Sequence, residues 1–237
     1  LTYLQKSEQR LDEIEFASDR LESLKKQRAA FQKEAVRLGE TLREKRIQAA
    51  KEMETDICEE LRQLDMPKIR FVCEFTPQEP AETGLDRVRF LMSANVGEAL
   101  KPLSKVASGG ELARIMLAMK QVLAQQDGVP TLIFDEVDAG VSGRAAQKVA
   151  LKLWAVSKGR QVLCVTHLPQ IAAMADAEFT VEKRVEHERT YTSVLHLDGS
   201  GRRQELARLI GGSMITETTL AGAAELLRLA DEAKRGI

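Results

Sequence analysis

The sequence predicts an α/β fold preceded by a long helix of the coiled-coil kind. Three observations carry that expectation. Residues 1–64 contain no proline and one glycine, Gly39, and they hold an apolar stripe at alternating steps of three and four. Beyond Pro102, short apolar runs alternate with helical patterns, as in a layered sheet with parallel strands. Two of those strands are followed at once by groups able to do chemistry, Asp135-Glu136 after the first and His167 after the second. Sheets of this class bind ligands at that edge.

In the helical segment the stripe runs Ile14, Ala17, Leu21, Leu24, Arg28, Phe31, Ala35, Leu38 and Leu42. It is narrow and flanked by charge of both signs, which favours burial against another helix over burial on a globular surface. Upstream, Leu4, Leu11 and Ile14 keep heptad spacing but change phase before Ala17, a stammer. Residues 1–64 thus form a coiled-coil arm of roughly 90 Å at 1.5 Å per residue. Its partner helix is not evident in this sequence, and the opening at Leu1, inside the helical pattern, predicts a piece of a longer protein. Residues 20–46 carry the basic side chains Arg20, Lys25, Lys26, Arg28, Lys33, Arg37, Arg43, Lys45 and Arg46 against Glu22, Glu34, Glu40 and Glu44. Such a stretch can neutralise phosphates, but a solvated coiled-coil face has the same composition.

Composition narrows the classes. With 237 residues, 43% hydrophobic, 30% charged and a net charge of -1, the chain can bury a core and is no polycation. Aromatics at 4% are too few for a compact core throughout, consistent with a rod-like part. Cys58, Cys73 and Cys164 are far apart and form no C-x-x-C, which argues against a disulfide framework or zinc knuckle and fits a reducing cytoplasm. No apolar run approaches the roughly 20 residues of a membrane span, and no secretion signal is present.

The second region, residues 65–237, opens at Asp65-Met66-Pro67. Two β-rich runs, Ile69–Phe75 and Arg87–Ala94, flank the turn-rich stretch Pro77–Gly84 and predict a hairpin or neighbouring strands. Then follow a helix over Gly110–Gln125, a strand Thr131–Phe134, a helix Gly143–Ser157 and a strand Gln161–Val165. A short helix (Pro169–Met174), two strands (Phe179–Lys183 and Tyr191–His196) and helices Arg203–Ile210 and Glu217–Lys234 complete the chain. The last helix carries Leu220, Ala223, Leu227 and Ala230 on one face and should dock by it.

Four clusters are candidates for chemistry. Ser108-Gly109-Gly110-Glu111 opens a helix, with Ser108 and Glu111 spaced as a capping box and glycines that let a backbone approach an anion. Asp135-Glu136 offers one carboxylate for Mg²⁺ and a second to polarise water. Between the two parallel strands lies one helix, so His167 emerges on the same edge as Asp135 and could donate to a phosphate. The loop Val137–Gly143 holds Asp138, with Ser142 placed to cap the next helix. His187 and His196 fall in the hairpin-like region and are expected to serve surface or packing roles. The chain has no G-x-x-x-x-G-K-[ST], hence no phosphate-cradling loop of its own.

In order and spacing these clusters resemble the C-terminal lobe of an ABC-type ATPase head, and the arm leading into them resembles the SMC-like branch. Ser108-Gly109-Gly110-Glu111 looks like the signature motif and Leu132–Glu136 like Walker B. Asp138 falls in the D-loop and His167 is similar to the switch histidine. The longer runs Val106–Ala118, Phe134–Gly143 and Val165–Ala172 resemble a bacterial DNA-repair member of that branch. Ala107 stands where transporters usually carry leucine, and Walker A and the Q-loop are missing. The resemblance implies a head completed by an upstream Walker A lobe, with two heads sandwiching ATP as a homodimer. Asp135 would hold Mg²⁺, Glu136 act as general base and His167 contact the γ-phosphate. Ser108, Gly109, Gly110 and Glu111 would meet the partner's nucleotide, with Asp138 beside them. It further implies action on DNA in double-strand break repair and recombination, in the cytoplasm at the nucleoid and with no membrane; the sequence holds no recognition-helix motif, so any DNA binding should be insensitive to base sequence. The chain alone is expected to be inactive for lack of Walker A. The alternatives are a transporter nucleotide-binding subunit, which would lack a heptad arm, and a structural rod, which would not need Asp135, Glu136 and His167 together.

Overall fold

The computed structural model describes residues 2–93, 97–105, 108–124, 126–186 and 189–236. Helix α1 spans Thr2–Gln63 and β1 Arg70–Ala81, followed by β2 (Gly84–Ser93) and β3 (Lys101–Pro102). Next come α2 (Gly109–Val122), β4 (Thr131–Phe134), α3 (Gly143–Ser157), β5 (Gln161–Cys164) and α4 (Pro169–Ala172). The chain ends with β6 (Phe179–Glu186), β7 (Arg189–His196), α5 (Gly199–Gly211) and α6 (Glu217–Arg235). It is therefore the α/β chain with a long leading helix that the sequence predicts. It divides into two units, Leu1–Glu52 with Cys73–Phe90, and Met53–Val72 with Leu91–Ile237.

In the first unit the hairpin is longer than expected. The stretch read as turn-rich stays extended through Pro77 to Ala81, and only Glu82-Thr83 separate the strands. β1 lies at an edge of its sheet, where a proline takes no hydrogen bond away from the ladder. Gly84, at φ +95°, makes the turn against the Leu42 side chain. Arg46 donates to the Thr83 carbonyl at 2.8 Å, and Arg43 lies 3.5 Å from the buried Asp86. The helix thus packs through Gly39, which fits because it has no side chain to meet Leu85. Leu21, Leu24, Phe31 and Leu38 of the heptad stripe remain exposed, Phe31 at 72%. The side chains of Leu4, Leu11 and Ile14 lie outside the described set.

In the second unit, Ile57, Leu61 and Leu64 are buried at the end of α1. The helix ends at Gln63, and Asp65, at a left-handed φ of 61°, turns the chain while Met66 N–H donates back to the Leu61 carbonyl at 2.9 Å. Lys152 and Lys148 of α3 reach Glu60 (2.6 Å) and Asp65 (2.9 Å). β4 and β5 pair in parallel, Thr131 with Gln161 through Phe134 with Cys164, the arrangement expected of one β–α–β unit. Leu132 and Phe134 point into the core with Ala146, Val149 and Leu153 of α3, whereas Ile133 is 71% exposed on the opposite face.

Other boundaries shift by small amounts. α2 begins at Gly109 and ends at Val122, short of the expected Gln125, which lies outside the described residues, as do Ala94, Val106, Ala107 and His187. α5 starts earlier than expected, at Gly199, because Asp198 caps it by accepting from Gly201 N–H at 2.7 Å. β6 and β7 form an antiparallel hairpin, and His196 packs its ring 5.0 Å from Phe179. On α6, Ala223 and Ala230 are buried as the periodicity requires. Among the described residues no helix is long and apolar enough to cross a membrane. The three cysteines are free thiols.

Candidate functional site

The site is built on the carboxyl end of β4 and the amino end of α2. Ser108 occupies the N-cap of α2 with extended φ/ψ, and its Oγ accepts from Glu111 N–H at 3.4 Å. This is the forward half of the expected capping box. The following glycines are required by contact rather than by backbone conformation. A Cβ at Gly109 would overlap the Glu136 carboxylate. One at Gly110 would lie 2.7 Å from Ala139 Cβ and 2.9 Å from the Ala139 carbonyl. The first turn of α2 therefore sits directly on residues 136–139.

Those residues leave β4 in a tight turn. Glu136 adopts φ 57°, a left-handed conformation that costs a non-glycine residue on the order of 1 kcal/mol. Two bonds hold it: Asp135 Oδ1 accepts Glu136 N–H at 2.9 Å, and the Glu136 carbonyl accepts Ala139 N–H at 3.0 Å. Asp135 and Glu136 are both exposed, with Glu136 Oε2 against Gly109. A groove of about 350 Å³ runs between α2 and β4, mostly aliphatic, with Lys120 and Asp135 among its lining.

Asp138 is placed differently. It is 3% exposed, and its Oδ2 accepts from Thr166 Oγ1 at 2.6 Å and from His167 N–H at 2.9 Å. His167 Nδ1 stands 3.1 Å from the same oxygen, while the side chain as a whole is 74% exposed. The parallel pairing of β4 with β5 makes this possible, because it brings residues 135–138 and 166–167 off one sheet edge. Asp138 thus binds the histidine segment itself, and the imidazole is held yet open to solvent.

Ser142 is the N-cap of α3 as expected, but its side chain makes no capping bond there, so its capping role in the sequence reading is corrected. Two further residues bear on the site. Thr166 bridges Asp138 Oδ2 and Leu168 N–H. Arg114 Nη1 donates to the Ala139 carbonyl at 2.7 Å, and burial, only partly offset by Glu111, lowers its pKa. The signal for Arg114 was present in the sequence: it is a charge at the buried phase of a helix, four residues from Gly110. Cys164, which ends β5 opposite Phe134, has its thiol pushed up to about 12 by burial and then by Asp138 and Asp135.

Among the described residues no group of three or more His, Cys, Asp and Glu could cage a metal ion. Asp135 and Glu136 are two neighbouring exposed carboxylates, a donor set that suits a Mg²⁺ completed by water and nucleotide phosphate rather than by protein alone. On the arm, Lys26 pairs with Glu22, Arg37 with Glu34 and Arg43 with Asp86, so part of its basic charge is already met within the chain.

Comparison with known proteins shows what the chain is similar to. The chain is 42% identical over 250 residues to the DNA repair protein RecN of Bacillus subtilis, covering 99% of this chain and 43% of that protein. It is 40% identical over 243 residues to the RecN of Treponema pallidum, covering 100% of this chain and 42% of the relative. The chain thus spans about two fifths of the length of the curated relatives it matches. Among solved structures, an Smc head domain with a coiled coil and joint from Pyrococcus yayanosii matches with a TM-score of 0.50 and 22% identity over 68% of this chain and 29% of that one, a likeness of fold. No family model matches.

Proposed function

The chain belongs with the RecN proteins, matching their C-terminal part, and on that premise we propose that it supplies half of an SMC-like ATPase head acting in DNA double-strand break repair and recombination. The other half, with Walker A, comes from upstream sequence, as does the helix that pairs with the arm. Asp135 would hold Mg²⁺, while Glu136 takes the proton of the attacking water and His167 donates to the terminal phosphate. Ser108, Gly109, Gly110 and Glu111 present the start of α2 to the nucleotide of a second copy, where free N–H groups and the helix dipole favour an anion. Asp138 holds the His167 segment in place at the same junction. When bound, Mg²⁺ neutralises phosphate charge and so stabilises the transition state. DNA is held through its phosphates, without base readout.

One observation carries this proposal. A single turn, residues 135–139, joins the exposed carboxylate pair, the first turn of α2 and, through Asp138, the histidine segment. A transporter subunit has less support, given the heptad arm and the likeness to DNA repair proteins over the whole chain.

The test is a pair of substitutions in the full-length protein. Glu136→Gln keeps shape and removes the base, so ATP hydrolysis should fall by about 10²–10⁴-fold while ATP binding persists and ATP-bound dimers accumulate in sedimentation. Asp135→Asn should instead weaken the response to Mg²⁺. Normal hydrolysis by Glu136→Gln removes Glu136 from this role.

A further inference from the structure

Among the buried residues of α2, Arg114 alone carries a charge, and it is 7% exposed. Burying a guanidinium is costly unless its donors are satisfied. Here Nη1 donates to the Ala139 carbonyl at 2.7 Å, whereas the buried Nε has no hydrogen-bond partner. A methionine would fill similar space without that penalty. What the arginine adds is its reach to one backbone carbonyl.

That carbonyl lies at a junction. Gly110, one helical turn before Arg114, packs on the same residue: a Cβ there would be 2.7 Å from Ala139 Cβ. α2 is therefore attached to Ala139 at two points on one face. The residue before Ala139 is Asp138, which accepts from Thr166 Oγ1 and His167 N–H. The residue three before is Glu136, whose carbonyl accepts Ala139 N–H. Contacts thus run without a gap from α2 through Ala139 to the general-base candidate and to the histidine.

We propose that Arg114 is a positioning residue for ATP hydrolysis: by holding the Ala139 carbonyl it fixes the 136–139 turn to α2, so that Ser108, Glu136 and His167 keep one mutual arrangement. This rests on the ATPase proposal above. Arg114 is buried against the turn and acts through the Ala139 carbonyl.

The experiment compares full-length Arg114→Met and Arg114→Lys with the parent, reading kcat, KM, melting temperature without nucleotide and amide hydrogen exchange. In Arg114→Met, kcat should fall at least about 10-fold with KM within about twofold. Exchange at 137–141 and 166–168 should speed by on the order of 10-fold while α3 and α6 exchange as in the parent. Arg114→Lys, with its charge and one donor kept, should lie between. Parental kcat with parental exchange in Arg114→Met overturns the proposal. So does a loss of activity in which exchange rises equally across the second unit, since that is lost stability alone. Should Arg114→Met fail to fold, Arg114→Lys is read in its place and must show the same local exchange pattern. If the parent itself hydrolyses no ATP, the ATPase proposal fails on its own, and the exchange data alone decide whether Arg114 fixes the turn.

Discussion

Gly109 and Gly110 are neighbours in sequence, yet alanine should fail differently at each. A Cβ at Gly110 would meet Ala139 Cβ at 2.7 Å, the Ala139 carbonyl at 2.9 Å and the Glu136 carbonyl at 3.1 Å. Two of these are backbone atoms in a turn already held by Arg114 and by the Ala139 N–H bond, so relief requires α2 and the turn to part. Overpacking costs about 1–3 kcal/mol and lies at the upper end, about 2–3 kcal/mol, where backbone must move, against a gain of about 1 kcal/mol for alanine over glycine in a helix. The net loss of about 1–2 kcal/mol should lower the melting temperature by about 2–8 °C for a domain of this size. At Gly109 the obstacle is Glu136 Oε2, the far end of a side chain, which can swing aside by roughly 1 Å to regain van der Waals contact. Stability should then change by less than about 1 kcal/mol, because the helix gains what the rotamer loses. The cost falls on function, since a 1 Å misplacement of a catalytic group can slow turnover by about 10²-fold. Thermal melts of the chain and steady-state ATPase of the full-length protein separate the outcomes. A Gly109→Ala protein with parental turnover, or a Gly110→Ala protein with parental stability, would refute the placement of α2 on this turn.

Two further outcomes follow from buried groups. Glu178 is buried, its carboxyl pKa raised by burial and only partly restored by Arg202, which also donates to the Ala175 carbonyl at 2.8 Å. Arg202→Met should cost about 2–4 kcal/mol at pH 7, read by urea unfolding. Because a raised carboxyl pKa favours the folded state below the unfolded value and loses that advantage as pH rises through the folded one, the cost should shrink toward pH 4.5; a cost that grows on acidification would contradict it. Cys164, with its thiol pushed up to about 12, should alkylate on the order of 10³-fold more slowly at pH 8 than a cysteine at the ordinary value of 9.0, and a rate like that of a free thiol would contradict the upward shift.

The strand–helix–strand order was legible because β4 and β5 are short apolar runs bounded by polar turns, with α3 between them reading at helical period. The left-handed turn at Glu136 was not, because glutamate carries no local preference for φ 57°; only the Asp135 carboxylate and the seat beneath α2 impose it. Nor was the inward use of Asp138, since a loop aspartate gives no sign in sequence of which donors it will meet. Pro77 and Pro80 misled for a plain reason. They signal a turn when their N–H positions are needed in a ladder, and β1 lies at an edge. Gly39 likewise reads as a weak point in a helix until Leu85 is placed against it.

The arm shows why a stripe and a packing face need not coincide. Gly39 and Leu42 contact Leu85 and Gly84, and Arg43 and Arg46 reach Asp86 and Thr83, so the hairpin covers one side of α1 near residues 39–46. Leu21, Leu24, Phe31 and Leu38 lie on a neighbouring side and N-terminal to that contact, and each is at least half exposed. Leu42 alone belongs to both. Burying an apolar side chain of this size yields about 1.5–3 kcal/mol, so the hairpin leaves most of the stripe's free energy unclaimed. Positions at alternating steps of three and four along one helix are collected only by another helix lying along it, for a strand pair cannot follow a 3.5-residue period. The exposed seam is thus the physical support for the proposal that another helix lies along the arm.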